Sequence, residues 1–292
     1  MSAVTELAPA KINLTLKVHG RRPDGYHEIA SLITFTRASA DTIGLVPGTA
    51  PAVSVAGPFA TAIEGPNLIE TTLRRLAEAD PRLVLGGVAL EKSLPVASGI
   101  GGGSSDAAAV LRAVRRANPD RADLIDWLAI ARSLGADVPV CLEGRPAFAS
   151  GVGGNVFRLP FLPRLDVVLA NPLCQVPADK TARVFACLKA PPIDAGGIPR
   201  QTLPLFANSA ELLAAMRTEG NDLAAAAAEV VPEIARVRSA LEDLPGALYV
   251  GLSGAGPTSF AVFASAQEAA EAAHLLKQAR PRWWVAADTL IG

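Results

Sequence analysis

The sequence predicts an α+β protein of two domains, and three observations support this. Residues Pro9–Val18 alternate apolar and polar side chains, which is typical of a half-buried strand. Four glycines within residues 99–103 lead directly into an amphipathic helix. Proline, glycine and asparagine cluster again at Gly151–Pro163, which indicates a boundary. We therefore expect an N-terminal domain of residues 1–157 and a C-terminal domain of residues 158–292.

The N-terminal half alternates strands and helices. A turn at Pro23–Gly25 follows the first strand, because proline, aspartate and glycine favour tight turns. Apolar runs predict short strands at Ser31–Phe35, Asp41–Val46, Ala52–Val55 and Val88–Lys92. Helical spacing of apolar residues predicts helices at Asn67–Ala79, after the glycines, and at about Asp123–Leu134. In the helix after the glycines, we expect Ser104 or Ser105 as the N-cap, Asp106 in the first turn and Pro119 as the stop.

The C-terminal half continues the mixture. It opens with a strand at Leu165–Ala170 and contains two strands around a glycine turn in GALYVGLSGAGPTSFAVFA. A helix at Ala266–Ala279 and a strand at Trp283–Ala287 follow. The alanine-rich run Ala224–Ala228 is typical of an ordinary helix.

Composition excludes several classes of protein. The 292 residues carry 27 basic and 28 acidic side chains, whereas a nucleic-acid binder would show a basic excess. The three cysteines have no metal-ligand spacing, which favours a reduced compartment. Glu6, Lys11 and Asn13 interrupt the apolar run that a secretory signal needs. No segment reaches the roughly 20 apolar residues of a membrane span. We expect a cytoplasmic protein without nucleic-acid or membrane partners.

The glycine-rich segment predicts an anion site. A turn that leads into a helix N-terminus presents several N–H groups and the positive end of the helix dipole, a combination that binds phosphate. The alternative is a flexible loop that ends in a helix cap. A P-loop is excluded because the chain has no Gly-Lys-Ser/Thr sequence. The glycine spacing also differs from the dinucleotide-binding fingerprint, and the protein-kinase motifs are absent.

Several motifs resemble those of the GHMP kinases (galactose, homoserine, mevalonate and phosphomevalonate kinases). PVASGIGGGSSDAA, which begins at Pro95, resembles their second motif, and LSGAGPTSF, which begins at Leu252, resembles their third. PAKINLTLKVHGRRPDGYHE, LGADVPVCL and GNDL are similar to the branch that acts on a cytidine diphosphate-linked methylerythritol in non-mevalonate isoprenoid biosynthesis. The motifs follow the family's order from Pro9 to Phe260. One departure is that Ala97 and Ser98 replace glycine-type residues, which affects the fine shape of the loop.

The resemblance implies a ribosomal protein S5 domain 2-like N-terminal domain and a ferredoxin-like C-terminal domain, with ATP and substrate meeting in the cleft between them. It implies phosphorylation of the 2-hydroxyl of the methylerythritol group, with ATP and Mg²⁺ as cofactors; the metal ligands stay unknown. The implied catalytic residues are Lys11 and Asp137. The implied substrate-binding residues are Asn13, Tyr26, His27, Asp137 and Phe185. The implied ATP-binding residues are Asn67, Lys92, Pro95, Val96, Ala97, Ser98, Gly99, Ile100, Gly101, Gly102, Gly103, Ser104 and Ser105.

Each of these residues also has a simpler interpretation. Lys11 and Asn13 share a strand face that could be solvated, and Asp137 could be a turn or capping residue. Asn67 could be a helix N-cap, and Lys92 a surface lysine. Tyr26 and His27 could be partly buried anchors. For the whole chain, the alternatives are another GHMP kinase of the homoserine or mevalonate type, or a non-catalytic nucleotide-binding member. We expect a monomer or a weak homodimer.

Overall fold

The computed structural model describes residues 2–63, 65, 67–193 and 203–292. Contacts divide the chain into two compact units. Unit 1 comprises Met1–Ala10, Ser39–Val96 and Gly101–Gly144, and unit 2 comprises Lys11–Ala38, Ala97–Ile100 and Arg145–Gly292. Each unit is therefore assembled from three separate segments. The sequence instead predicted two consecutive domains, and the boundary at 157/158 lies within unit 2.

Unit 1 contains a small mixed sheet. Its strands are the start of β1 (Val4–Asn13), the end of β3 (His27–Pro47), β4 (Val53–Ala56) and β5 (Gly86–Glu91). The end of β3 pairs antiparallel with β5, and β4 pairs parallel with β5. Alternation along the end of β3 buries Ile43 and Leu45.

Four helices complete unit 1: α1 (Leu68–Ala79), α2 (Gly102–Ala117), α3 (Trp127–Leu134) and α4 (Val138–Glu143). Helix α2 packs against the other three, and α3 also packs against α1 and α4. The residues of α2 from Ser105 to Leu111 are buried, so this helix forms the centre of the unit. Asp126 caps α3 through the Ala129 N–H, which places its start at Trp127, later than the predicted Asp123.

The first part of unit 2 is a set of antiparallel strands around the beginning of β3. This part of β3 pairs with β2 (Lys17–Arg21) and with β6 (Ala147–Gly151), and β6 pairs with β7 (Asn155–Arg158). Strand β7 falls within the segment that the sequence marked as a boundary. The turn residues there form the β6–β7 hairpin.

The second part of unit 2 is an antiparallel sheet of β8 (Leu165–Asn171), β9 (Tyr249–Leu252), β10 (Ser259–Phe263) and β11 (Trp284–Leu290). Its spatial order is β11-β8-β10-β9. Taken in chain order this is 4-1-3-2, the ferredoxin-like arrangement that was predicted. Helices α8 (Glu233–Glu242) and α9 (Ala266–Ala279) pack on these strands. Their apolar residues form one core with the strands, including Val168, Val237 and Leu276.

A second core in unit 2 lies under α5 (Lys180–Leu188) and α7 (Ala224–Val230), which pack against each other. It includes Leu16, Val184 and Ile234, with Phe185 packed at its side. Helix α6 (Ser209–Glu219) begins at an Asn208 cap and leads into the GNDL segment.

The predicted strand Pro9–Val18 is interrupted. Strand β1 ends at Asn13, because Leu16 pairs with the GNDL segment: its N–H bonds the Gly220 carbonyl at 2.9 Å, and its carbonyl accepts from Asp222 at 2.8 Å. The two predicted strands Ser31–Phe35 and Asp41–Val46 are one continuous strand, β3. Among the described residues, no helix has the length and apolar character to cross a membrane.

Candidate active site

The glycine segment forms the predicted turn and helix start. Gly101 has φ +67° and is the N-cap, so α2 begins at Gly102. The helix therefore begins before the serines, and the predicted serine N-cap is wrong. Ser105 is buried and its hydroxyl donates to the Pro9 carbonyl at 2.8 Å. Because the first N–H groups of a helix have no partner within it, Gly102, Gly103 and Ser104 supply donors suited to an anion.

The beginning of the same segment packs against the turn of the third motif, within unit 2. A Cβ placed on Gly99 would lie 2.5 Å from the Gly256 carbonyl oxygen and 2.8 Å from that of Ser253. Gly99 also has φ +79°, where side chains are disfavoured. The Ser253 hydroxyl donates to the Gly99 carbonyl at 3.0 Å, and the Thr258 N–H bonds the Ser98 carbonyl at 3.0 Å. Only glycine fits at position 99.

Lys11 and Asn13 form a buried polar pair, so the solvated-face alternative is wrong. They are 3% and 4% exposed, and the Lys11 ammonium donates to Asn13 Oδ1 at 2.9 Å. Asn13 Nδ2 donates to the Ser31 hydroxyl at 2.7 Å, which donates to the Thr15 carbonyl at 2.6 Å. This chain of hydrogen bonds fixes the orientation of Asn13, and with it the ammonium group.

Asp137 is the N-cap residue of α4, and its side chain makes no capping hydrogen bond to that helix. The LGADVP segment is therefore a helix start as well as a turn. Helix α4 is held by Arg112 of α2, which donates to the Cys141 carbonyl at 2.8 Å and to the Leu7 carbonyl at 2.7 Å. Asp137 thus lies on a backbone that is fixed to the centre of unit 1.

Lys92 is buried in an ion cluster, so the surface-lysine alternative is wrong. Its ammonium lies 2.6 Å from Asp41 Oδ2 and 2.7 Å from Asp106 Oδ2. Burial lowers the pKa of Lys92, but the charges of Asp106 and Asp41 outweigh this and the pKa is raised. Burial, together with the charge of Asp41, raises the pKa of Asp106 to about 7 against the attraction of Lys92. A Cβ on Gly102 would lie 3.2 Å from Lys92 Nζ, so this cluster supports the start of α2.

Asn67 is the N-cap of α1, as its simpler interpretation predicted. Its Oδ1 accepts from the Ile69 N–H at 3.0 Å. Its Nδ2 is buried and has no hydrogen-bond partner among the residues that the structure describes. A buried donor without a partner is costly, which makes this amide suited to an acceptor atom of a ligand.

Tyr26 and His27, at the turn after β2, form an aromatic group with Phe185. The rings of His27 and Phe185 are stacked, with centroids 4.7 Å apart and an interplanar angle of 25°. Partial burial and the nearby charge of Arg21 lower the pKa of His27, which favours the neutral ring. Tyr26 is 65% exposed, so it is not the partly buried anchor of the simpler interpretation. A base cannot enter between His27 and Phe185, because a ring needs about 3.5 Å on each face.

The remaining predicted ATP-binding residues lie in the glycine-rich loop and differ in burial. Pro95, Ser98 and Ile100 are buried, Val96 and Ser104 are half-buried, and Ala97 is exposed with φ +54°. Within the described residues, no group of three His, Cys, Asp or Glu side chains is arranged to hold a metal ion.

Comparisons with known proteins identify the family. The GHMP kinase N-terminal domain matches residues 67–145, and the GHMP kinase C-terminal domain matches residues 197–280. A homoserine kinase structure from Cytophaga hutchinsonii shares the fold, with a TM-score of 0.70 at 17% identity over 100% of this chain and 98% of that chain. The fold and the glycine-rich site therefore define a GHMP kinase.

The more similar relatives narrow the class. The chain is 43% identical to the 4-diphosphocytidyl-2-C-methyl-D-erythritol kinase of Rhodopseudomonas palustris (strain BisB5), over 99% of this chain and 100% of that protein. It is also 43% identical to the kinase of that name from Rhizobium etli (strain ATCC 51251), over 99% and 96%. A crystal structure of 4-(cytidine 5'-diphospho)-2C-methyl-D-erythritol kinase superposes with a TM-score of 0.76 at 36% identity, covering 99% of this chain and 100% of that chain. The chain belongs to the 4-diphosphocytidyl-2-C-methyl-D-erythritol kinase family.

Sequence reasoning missed several residues that support the site. Asp41 lies inside a long strand, where nothing in the sequence distinguishes it from a surface residue. Arg112 resembles any exposed helix arginine, yet it connects α2 to α4 and β1. Lys180 begins α5 and is 5% exposed, although a lysine at a helix start is usually solvated. These residues can be recognised as part of the site only from their long-range partners, because nothing at their own sequence positions indicates that role.

Proposed function

We propose that this chain transfers the γ-phosphoryl group of ATP to the 2-hydroxyl of 4-diphosphocytidyl-2-C-methyl-D-erythritol, a step of isoprenoid biosynthesis. Full-length relatives at 41–43% identity carry the name of this kinase. The observation that carries the choice of substrate is the aromatic group of Tyr26, His27 and Phe185, because a small acceptor such as homoserine or mevalonate has no base to contact it.

ATP binds through the glycine segment. The N–H groups at the start of α2 and the helix dipole stabilise the phosphates. The unpartnered amide of Asn67 donates to the adenosine. Lys92 contributes positive charge close to Gly102, from a position that its two carboxylates fix. A Mg²⁺ ion bound to the ATP phosphates would supply charge neutralisation there.

The acceptor hydroxyl is activated by Asp137. As the hydroxyl oxygen forms its bond to the γ-phosphorus, the bond to the bridging oxygen of ADP breaks, and Asp137 takes the hydroxyl proton. Lys11 orients the hydroxyl and stabilises the negative charge that develops on the transferred group. Its ammonium is held by Asn13, so little reorganisation is needed during the reaction.

The cytosine binds at the aromatic group. Tyr26 supplies an exposed ring face for stacking, and Phe185 supplies the face that His27 does not cover. The lowered pKa of His27 favours its neutral ring, which can both donate to and accept from the polar edge of the base. Its stacking on Phe185 restrains the ring in the orientation that this contact requires.

An ADP-release assay with ATP tests this function. We expect turnover with 4-diphosphocytidyl-2-C-methyl-D-erythritol and turnover at least about 100-fold slower with homoserine or mevalonate. Lys11→Met serves as the inactive control, because it removes the ammonium that orients the acceptor hydroxyl. Preferred turnover of homoserine or mevalonate would assign the chain to another GHMP kinase, and ATP binding without turnover of any acceptor would assign it to a non-catalytic member.

A further inference from the structure

Lys180 is a buried cation that no part of the activity described above uses. It begins α5, is 5% exposed, and its ammonium donates to the Ala97 carbonyl at 2.8 Å and to the Gly256 carbonyl. These two carbonyls belong to the glycine segment and to the turn of the third motif, both within unit 2. Lys180 therefore connects two loops that carry the family motifs.

Among the described residues, no carboxylate forms an ion pair with Lys180. The other buried lysine near the glycine segment, Lys92, has two carboxylates within 2.7 Å. A buried ammonium without an anion is costly, and proteins retain one mainly where a ligand or a reaction uses its charge. Lys180 thus retains an unbalanced positive charge at the Ala97–Ile100 segment of unit 2.

The contact with Ala97 also fixes a peptide plane. In a trans peptide the carbonyl and the following N–H point in opposite directions. Because Lys180 binds the Ala97 carbonyl, the Ser98 N–H points away from Lys180. Ala97 has φ +54°, an unfavourable value for alanine, so this backbone conformation needs a contact that maintains it.

We propose that Lys180 is a positioning residue for the triphosphate of ATP. The Lys180 ammonium orders the Ala97–Ile100 segment, and its positive charge is balanced by the phosphates. This proposal rests on the proposed function only in taking ATP as the ligand. It is independent of which acceptor is phosphorylated.

The charge of Lys180 changes in a pH range in which ATP binding can be measured. Burial lowers the pKa of Lys180 to about 8, opposed only by the nearby Cys174 thiol. Burial, followed by the charge of Glu233, raises the pKa of Cys174. The other titratable groups on α5 and on the packed helix α7 pair with one another: Asp179 with Arg183, and Cys187 with Glu229. Lys180 therefore loses its proton as the pH rises from 7 to 9.

The test measures the Kd of ATP by calorimetry at pH 7 and pH 9 for the wild type, Lys180→Gln and Lys180→Arg, without acceptor. Glutamine keeps an N–H donor and removes the charge, whereas arginine keeps both. We expect Lys180→Gln to weaken ATP binding at pH 7 by about tenfold and Lys180→Arg to stay within about threefold of the wild type. Wild-type affinity falls from pH 7 to pH 9, where the phosphates are already ionised, and the affinity of Lys180→Gln does not.

Three results would overturn the proposal. The first is wild-type ATP affinity that stays constant from pH 7 to pH 9, which needs no variant to fold. The second is a Lys180→Gln variant that binds ATP as tightly as the wild type. The third is an equal loss of affinity in both variants together with an equal loss of thermal stability, which would make Lys180 a structural connection only. Failure of the cytidyl assay with intact ATP binding would refute the proposed acceptor and leave the inference on Lys180 standing.

Discussion

Two glycines of the glycine-rich segment allow folding and the proposed ATP binding to be tested separately. Gly99→Ala introduces a methyl group 2.5 Å from the Gly256 carbonyl oxygen and 2.8 Å from that of Ser253, at φ +79°. The left-handed conformation costs an alanine about 1–2 kcal/mol, and the forced displacement of packed backbone adds about 1–3 kcal/mol. We expect the free energy of unfolding to fall by about 2–5 kcal/mol.

Gly103→Ala is the matched variant in the same segment. A Cβ there meets no described atom within 4 Å, and Gly103 lies in the first turn of α2. The free energy of unfolding should therefore stay the same or rise by up to about 1 kcal/mol, because alanine favours helix over glycine. Since Cβ atoms tilt toward the helix N-terminus, the methyl group points to where a phosphate would bind. We expect the Kd of ATP to rise by about tenfold or more.

Urea unfolding followed by circular dichroism and ATP calorimetry measure the two effects. A Gly99→Ala variant as stable as the wild type would refute the close approach of Gly99 to the third-motif turn. A Gly103→Ala variant with normal stability and unchanged ATP affinity would show that phosphate does not approach the backbone at this residue. In that case the glycines would serve only the geometry of the turn.

Three further predictions concern catalysis, substrate binding and stability. Asp137→Asn should lower kcat by about 10²–10⁴ with KM for both substrates nearly unchanged in steady-state assays, and a kcat within about tenfold of the wild type would remove Asp137 from the mechanism. Tyr26→Ala should raise KM for the cytidyl substrate by about tenfold and leave KM for ATP unchanged, because stacking on a base is worth about 1–3 kcal/mol. Tyr26→Phe is the control and should leave both KM values unchanged. A rise in KM for ATP instead would show that the cytosine pocket is misplaced. The pKa of Asp106 is raised to about 7 from 3.8, so its neutral form stabilises the fold below about pH 4 and this contribution is lost as the pH rises through 7. The stability of Asp106→Asn relative to the wild type should therefore increase as the pH rises from 5 to 8 in thermal unfolding. A stability difference that is independent of pH would refute the raised pKa of Asp106.

The features that the sequence predicted well depend on local pattern. Helix α9 begins and ends at the predicted residues, since Ser265 caps it and its apolar spacing is regular. The turn and helix start at the glycine segment were predicted because clustered glycines next to an amphipathic pattern are a local signal. The resemblance assigned His27 and Phe185 to one substrate pocket without predicting that their rings stack on each other. Their role in substrate binding stays a prediction.

The features that the sequence did not predict depend on distant partners. The burial of Lys92 follows from Asp41 and Asp106, which lie 51 and 14 residues away. The end of β1 at Asn13 follows from the pairing of Leu16 with Gly220, and alternation alone cannot show which segment a residue pairs with. The serine cap was wrong because the first helical hydrogen bond runs from the Ser105 N–H to the Gly101 carbonyl, at 2.8 Å, which makes Gly101 the N-cap.

Strand β3 has a consequence for how the gene can be divided. Its 21 residues contribute their first part to unit 2 and their last part to unit 1. At Thr36 it pairs with Leu290, close to the C-terminal end of the sequence. A fragment cut at residue 157 would leave the early part of β3 without that partner and without the sheet that continues from it. We therefore expect that a truncation at residue 157 does not give an independently folded half.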